Sequence, residues 1–294
     1  MLFRSVSLLA AHRSHSRRWE DFQFVYPVLS RRSRGLSLGV NVNPDKRCNF
    51  DCLYCQVDRT VPSPVRKVDL ARVTAELDLV LEAERDGTLY ATAPFDALPP
   101  DRRGVRDIAF SGDGEPTTYP RLAEAFAIAA EARRRFGLES TKIVLITDAA
   151  YLAKPKVREA LALLDRNNGE IWAKLDAGTE AYFRLVDRPN VTLQAVVDNI
   201  LDAARARPVV IQSLFFKVDG APPADAEIDA YGDRLNEILA AGGRLKALQL
   251  YTIARTPAEP SAAPLADAEL DALAARVRAR VAAPVEVYYG VPSP

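Results

Sequence analysis

Apolar residues recur along this chain in two rhythms, and the changes of rhythm mark out its elements. Short, nearly continuous apolar runs occupy 37–42, 107–111, 142–146, 171–175, 209–216 and 246–251, with a brief last run at 285–288. Between them lie longer stretches in which apolar residues return at every third or fourth position, as on one face of a helix. The first such stretch follows Asp69, a side chain suited to an N-cap, and places Leu70, Val73, Leu77 and Val80 on one face. Others cover 122–136, 156–164, 192–205, 224–239 and 267–281; Gly137 ends the first of these, and Gly242-Gly243 follows 224–239. Two proline-bearing segments interrupt the alternation. One is 86–106, with Pro94, Pro99, Pro100 and Gly104, read as an inserted loop; the other is 252–264.

Strand and helix thus alternate six times, and the strands lack a polar face. That combination predicts α/β architecture, with parallel strands covered by helices. Right-handed crossovers curl such units into a (βα)6-type partial TIM barrel; an open doubly wound sheet is the alternative. Either architecture gathers ligands at the carboxyl ends of the strands. The loop 48–55, the turn 112–115, Asp176 and Tyr251-Thr252 all follow or end a predicted strand, so they converge on one face. The expected organisation is a basic extension over 1–34 and one domain over 35–294.

Composition narrows this picture. The 294 residues are 48% hydrophobic, enough for a large core, and 39 basic residues balance 39 acidic ones. Global charge therefore argues neither for nucleic acid nor for a membrane surface. No apolar run approaches the roughly 20 residues of a membrane-spanning helix. The extension differs from the rest. Arg4, Arg13, Arg17, Arg18, Arg31, Arg32 and Arg34 are interleaved with Ser and Leu, and no acidic residue precedes Glu20. It reads as a solvated extension, a transit peptide or a basic arm touching nucleic acid.

The three cysteines of the chain, Cys48, Cys52 and Cys55, fall within eight positions. None remains for a structural bridge, which suits a reducing, cytoplasmic setting. Thiolates this close are metal ligands or a redox group. A redox C-x-x-C needs no third cysteine at fixed spacing. A structural zinc ion wants four ligands, and the two histidines, His12 and His15, both lie in the extension. Iron–sulfur clusters take thiolates, normally four. Three thiolates on a four-iron cluster leave one iron open to a substrate or cofactor.

Cys48-x3-Cys52-x2-Cys55, with Tyr54 before the last cysteine, resembles the cluster loop of the radical S-adenosylmethionine (radical SAM) superfamily. Its flanks, 38–44 and 56–59, resemble the bacterial and archaeal relatives of the tRNA wybutosine-synthesis enzymes. The resemblance implies a single [4Fe-4S] cluster on Cys48, Cys52 and Cys55 whose open iron binds S-adenosyl-L-methionine. It implies reductive cleavage of SAM and hydrogen abstraction from a substrate, with tRNA or a small molecule as the candidates. It implies a one-electron reductant such as flavodoxin or ferredoxin as partner. By the same resemblance Gly112, Asp113, Gly114 and Glu115 receive the methionine ammonium, although Asp113 interrupts the family's usual pair of glycines. Tyr54 lies by the adenine, Lys174 and Asp176 bind ribose or carboxylate, and Ser213 is a further SAM contact; a buried Lys174–Asp176 ion pair is the alternative for those two. Tyr251 and Thr252 offer backbone groups to the adenine. Apart from the resemblance, Arg255, just beyond in the proline-rich segment, either holds an anionic substrate or the SAM carboxylate or is simply solvated. With no cysteine left for a second cluster, a direct copy of wybutosine chemistry is not expected, although Lys142, Lys154, Lys156 and Lys174 are amines able to form a Schiff base with a keto acid. An electron carrier or sensor without SAM chemistry is the alternative, and the glycine–glutamate turn argues against it.

Overall fold

The computed structural model describes Trp19 and residues 22–290. Arg4, Arg13, Arg17, Arg18 and both histidines of the basic extension lie outside the described residues. The chain divides into two compact units. Of the described residues, the first comprises those up to 47 with 62–146 and 155–170, and the second comprises 48–61, 147–154 and 171–290.

In the first unit the strand order is β1 (Val25–Ser30), β2 (Gly35–Val40), β3 (Val105–Phe110) and β4 (Lys142–Thr147). β1 runs antiparallel to β2, and β2, β3 and β4 are mutually parallel. β1 lies inside the stretch expected to be extension, so regular structure begins ahead of Gly35. Its alternation is too short, and its Pro27 too strand-unlike, to stand out in the sequence. Pairing with β2 and, at its entry, Glu76 hold it: Glu76 is buried on helix α1 (Leu70–Arg85), and its carboxylate accepts from the backbone N–H groups of Gln23, Phe24 and Val25 at 2.8–2.9 Å. Arg72 pairs with the same carboxylate at 2.8 Å. Asp69 caps α1 as expected, accepting from Ala71 N and Arg72 N. Val73, Leu77 and Val80 are fully buried. α2 (Leu122–Arg135) and α3 (Pro155–Asp165) complete the unit. Gly137 follows α2 with φ 65°, the left-handed conformation that glycine adopts without penalty. The segment 86–106 contains three single turns of 3-10 helix, with Leu89, Tyr90, Phe95 and Leu98 buried.

In the second unit β5 (Gly169–Lys174), β6 (Val209–Leu214), β8 (Leu245–Tyr251) and β10 (Val285–Tyr288) lie side by side and parallel. β7 (Phe216–Val218) and β9 (Ala262–Pro264) form a separate antiparallel pair. Four helices accompany them: α4 (Glu180–Val186), α5 (Leu193–Ala206), α6 (Asp225–Ala240) and α7 (Asp267–Arg280). α4, at seven residues, is too short for its periodicity to register in the sequence. Register places Lys174, Gln212, Gln249 and Glu286 in one cross-strand row, with Leu214, Tyr251 and Tyr288 in the next row toward the carboxyl ends. Successive residues face opposite sides of a sheet, so Ser213 lies on the other face, where its hydroxyl meets Tyr231 of α6 at 2.7 Å. Among the described residues no helix is long and apolar enough to cross a membrane.

Candidate cluster loop and ligand-binding residues

The cysteine loop is held mainly through its backbone, by the end of α4. Leu53 N donates to Val186 O at 2.9 Å and Asp51 N to Asp187 O at 3.1 Å. Asn190 N donates to Asn49 O at 3.3 Å, and Phe50 packs edge-on against Phe183 of α4 with centroids 5.5 Å apart. Cys55 N closes a tight turn onto Cys52 O, and Cys55 O accepts from Ala258 N at 3.1 Å, tying the proline-rich segment to the loop. Leu53 is buried with Val186, Leu214, Phe216, Tyr251, Ile253 and Ala262. The loop is thus held by these backbone bonds and by apolar anchors at Phe50 and Leu53, and the cysteines are left half-buried and in no disulfide.

Beneath it lies a buried polar network. Tyr54 donates its hydroxyl to Asp176 Oδ2 at 2.5 Å and approaches Asp187 Oδ1 at 3.2 Å. Lys174 Nζ lies 3.0 Å from Asp176 Oδ2 and 2.7 Å from the Tyr251 hydroxyl. The same ammonium sits 4.8 and 4.9 Å from the ring centres of Tyr54 and Tyr251, within cation–π range. Asp176 Oδ1 accepts from Leu214 N at 2.6 Å. The turn after Asp176 is fixed from α6, where Glu227 accepts from Gly178 N, Thr179 N and the Thr179 hydroxyl. Gly178 is required there: a Cβ would stand 2.0 Å from Tyr231 N.

The network sets the protonation of its members. Burial, and then the Asp187 carboxylate, push the Cys52 thiol well up. Burial and Asp176 do the same to the Tyr54 phenol, and burial and Asp176 raise Asp187. Burial pulls Lys174 down, but Asp176 and Tyr251 outweigh it and hold the ammonium above its ordinary range. Burial beside Asp187 thus favours the neutral thiol at Cys52.

The glycine turn belongs to the first unit. Tyr26 on β1 packs over Gly39, where a Cβ would stand 2.2 Å from the ring. Its hydroxyl bonds Ser111 O at 2.9 Å and Ser111 Oγ at 3.0 Å. Asn41 donates to Asp113 Oδ2 at 2.6 Å and accepts from Asp113 N and Asn43 N. A Cβ at Gly112 would meet Asn41 Oδ1 at 2.5 Å, and one at Gly114 would meet Arg47 O at 1.8 Å. Glu115 N donates to Arg47 O at 3.0 Å, while its carboxylate takes Thr117 N and the Thr117 hydroxyl. Both glycines are thus sites of close approach, as a backbone cradle requires.

Of the residues expected at the site, Tyr54, Lys174, Asp176 and Tyr251 are joined in one network beside the cysteines. Gly112, Asp113, Gly114 and Glu115 share one turn. Thr252 is buried, its hydroxyl accepting from Leu265 N at 2.8 Å, and Arg255 O accepts from Gln56 Nε2 at 3.1 Å. Ser213 faces α6 instead, and Gln212 shares a row with Lys174. Asp187 and Asn41 were missed. Asp187 follows a helix the pattern does not reveal, and Asn41 sits within an apolar strand signal.

Three thiols on one loop suit an iron–sulfur cluster held by thiolates. Among the described residues no three His, Cys, Asp or Glu side chains close around a single ion. A cluster differs in spreading its thiolates over several irons.

The sequence pattern of the radical SAM superfamily matches residues 42–220. The chain is similar to a UPF0026 protein of Helicobacter pylori (strain ATCC 700392 / 26695), 28% identical over 60% of this chain and 49% of that one. A UPF0026 protein of Methanocaldococcus jannaschii is 30% identical over 60% of this chain and 46% of its own length. The match spans about half the length of these relatives. Among solved structures, that of TYW1 with a lysine-pyruvate adduct bound matches with a TM-score of 0.55 at 14% identity, covering 85% of this chain and 74% of that one. This likeness shows the fold: α/β, with the mostly parallel strands of a partial TIM barrel, in place of an open doubly wound sheet.

Proposed function

Because this chain belongs to the radical SAM superfamily, we propose that it is an enzyme that reductively cleaves S-adenosyl-L-methionine at a single [4Fe-4S] cluster and abstracts hydrogen from its substrate. The observation that carries the reading is the cysteine loop: three thiols within eight residues, anchored by Phe50 and Leu53 and backed by the Tyr54–Asp176–Lys174 network. When bound, the cluster and SAM supply the electron transfer and radical chemistry; the protein supplies binding, orientation and shielding.

In this reading Cys48, Cys52 and Cys55 are the cluster ligands. Gly112, Asp113, Gly114 and Glu115 cradle the ammonium of SAM, the glycines permitting close approach and the carboxylates supplying charge. Lys174 and Asp176 orient the ribose or carboxylate, and Tyr251 and Thr252 border the adenine. Tyr54 anchors the loop through its hydroxyl while its ring lies edge-on to Phe216, with centroids 5.5 Å apart. Arg255 is the candidate for an anionic part of the substrate or the SAM carboxylate. Residues 35–294 form the catalytic domain in this proposal, together with β1. The reductant is a flavodoxin or ferredoxin, and the substrate is tRNA or a small molecule.

The TYW1 structure holds a lysine–pyruvate adduct. Lys174 does not suit that part here. An amine attacks a keto acid only when uncharged, and Asp176 with the Tyr251 hydroxyl keeps Lys174 charged.

Anaerobic reconstitution of the wild type and of Cys52→Ala, followed by iron and sulfide analysis and visible absorption, tests the ligand assignment. The wild type is expected to take up four irons per chain, the number fixed by the proposed cluster. Cys52→Ala is expected to lose the cluster absorption. Retention of an intact cluster in Cys52→Ala, or a zinc ion in its place in the wild type, contradicts the assignment.

A further inference from the structure

Arg59 stands four residues beyond Cys55, and its side chain turns back onto the cysteine loop. Its Nη1 lies 3.6 Å from Cys55 Sγ, in hydrogen-bonding geometry, and 3.2 Å from Asp51 Oδ1. Asp51 lies 3.7 Å from Arg188 Nη1 as well, and Arg188 pairs with Glu259 of the proline-rich segment. The guanidinium is therefore held between a sulfur and a carboxylate. Its side chain is 28% exposed against 66% for Asp51, so its charge is the less screened of the two. A plain surface ion pair would need only Asp51. The N–H···S contact is the observation that such a pair leaves unexplained.

The cysteines consequently sit in opposed surroundings. Cys52 faces the carboxylate of Asp187, and Cys55 faces a cation. Hydrogen bonds to ligand sulfurs, and nearby positive charge, favour the more negative, reduced state of an iron–sulfur cluster and so raise its potential. A donor that also carries the charge does so more strongly than a neutral one.

We propose that Arg59 is a positioning residue that raises the reduction potential of the bound cluster through its N–H···Sγ bond to Cys55. The inference rests on the cluster reading above. The step it assists is the gain of one electron by the cluster from a low-potential reductant. No bond forms or breaks at Arg59, and it keeps its proton throughout.

The test is an anaerobic redox titration of the reconstituted full chain with dithionite and mediators, followed by electron paramagnetic resonance, with iron content measured in parallel. Arg59→Gln is expected to keep its iron while its reduced-to-oxidised ratio at fixed poise falls about tenfold, or about 59 mV for one electron. Arg59→Lys, which restores the charge without the planar fork, is expected to recover part of that shift. Asp51→Asn, which removes the opposing charge at an exposed position, is expected to move the midpoint upward. An Arg59→Gln midpoint equal to that of the wild type at full iron content overturns the proposal while leaving the cluster reading intact. Should Arg59→Gln fail to hold iron, an unmoved midpoint in Asp51→Asn overturns it. A wild-type chain that assembles no cluster overturns both.

Discussion

Lys174 and Asp176 sit at the end of β5 with 14% and 1% of their side chains exposed. Their alternation along an apolar strand is visible in the sequence, but not what each touches. The structure supplies the missing partners: Tyr54 and Leu214 N on Asp176, and the Tyr251 hydroxyl on Lys174. Breaking a buried pair by removing one charge strands the other and costs about 3–5 kcal/mol. Asp176→Asn is therefore expected to lose stability in that range by urea unfolding. Tyr54→Phe, which leaves both charges paired, is expected to lose only about 1–3 kcal/mol for an unmet hydrogen bond. Equal losses in the two variants contradict the assignment of Asp176 as the hub. Residue identity was legible where chemistry is rare, as with the cysteines. It was not legible at Ser213, because adjacent strand residues face opposite sides and the polar pair Gln212-Ser213 does not say which is inward. Tyr231 of α6 decides that, and it lies eighteen residues further on.

At the scale of elements, the long helices and continuous apolar strands declared themselves, together with the Asp69 cap and the stop at Gly137. Short elements did not. The entry to β1, at 23–25, depends on Glu76, some fifty residues away, for its N–H partners, and α4 is held by Glu227 at its start and by the cysteine loop at its end. Neither contact leaves a local periodicity. The segment 86–106 looked structureless because proline and glycine punctuate it, yet Tyr90 gives it a fixed point. The Tyr90 hydroxyl accepts from Gly104 N and donates to Glu84, both at 2.9 Å. Burial, which the Gly104 N–H bond opposes and Glu84 reinforces, raises the phenol from its ordinary value near 10 to about 12. The folded state thus favours the protonated phenol. Its contribution is fully present below pH 10 and is lost as pH rises through about 12. Wild-type stability is expected to fall across that window more steeply than that of Tyr90→Phe, as read by urea melts at successive pH values. Parallel slopes contradict the assignment.

For the molecule as a whole, the sequence showed the repeated strand–helix unit, and hence the α/β class and the strand ends where ligands gather. Barrel or open sheet depends on how strands pair over long distances, which local periodicity does not encode. The balance of 39 basic and 39 acidic residues likewise hid a local asymmetry, Arg59 beside one cysteine and Asp187 beside another. In the proposed function the reaction on SAM depends on the three cysteines and the cluster they hold. The most direct measurement is chromatography of an anaerobic incubation of the reconstituted protein with SAM and dithionite. The wild type is expected to yield 5′-deoxyadenosine and methionine, and Cys52→Ala neither. SAM left intact by a wild-type chain carrying its full cluster would rule out SAM cleavage and favour an electron carrier or sensor.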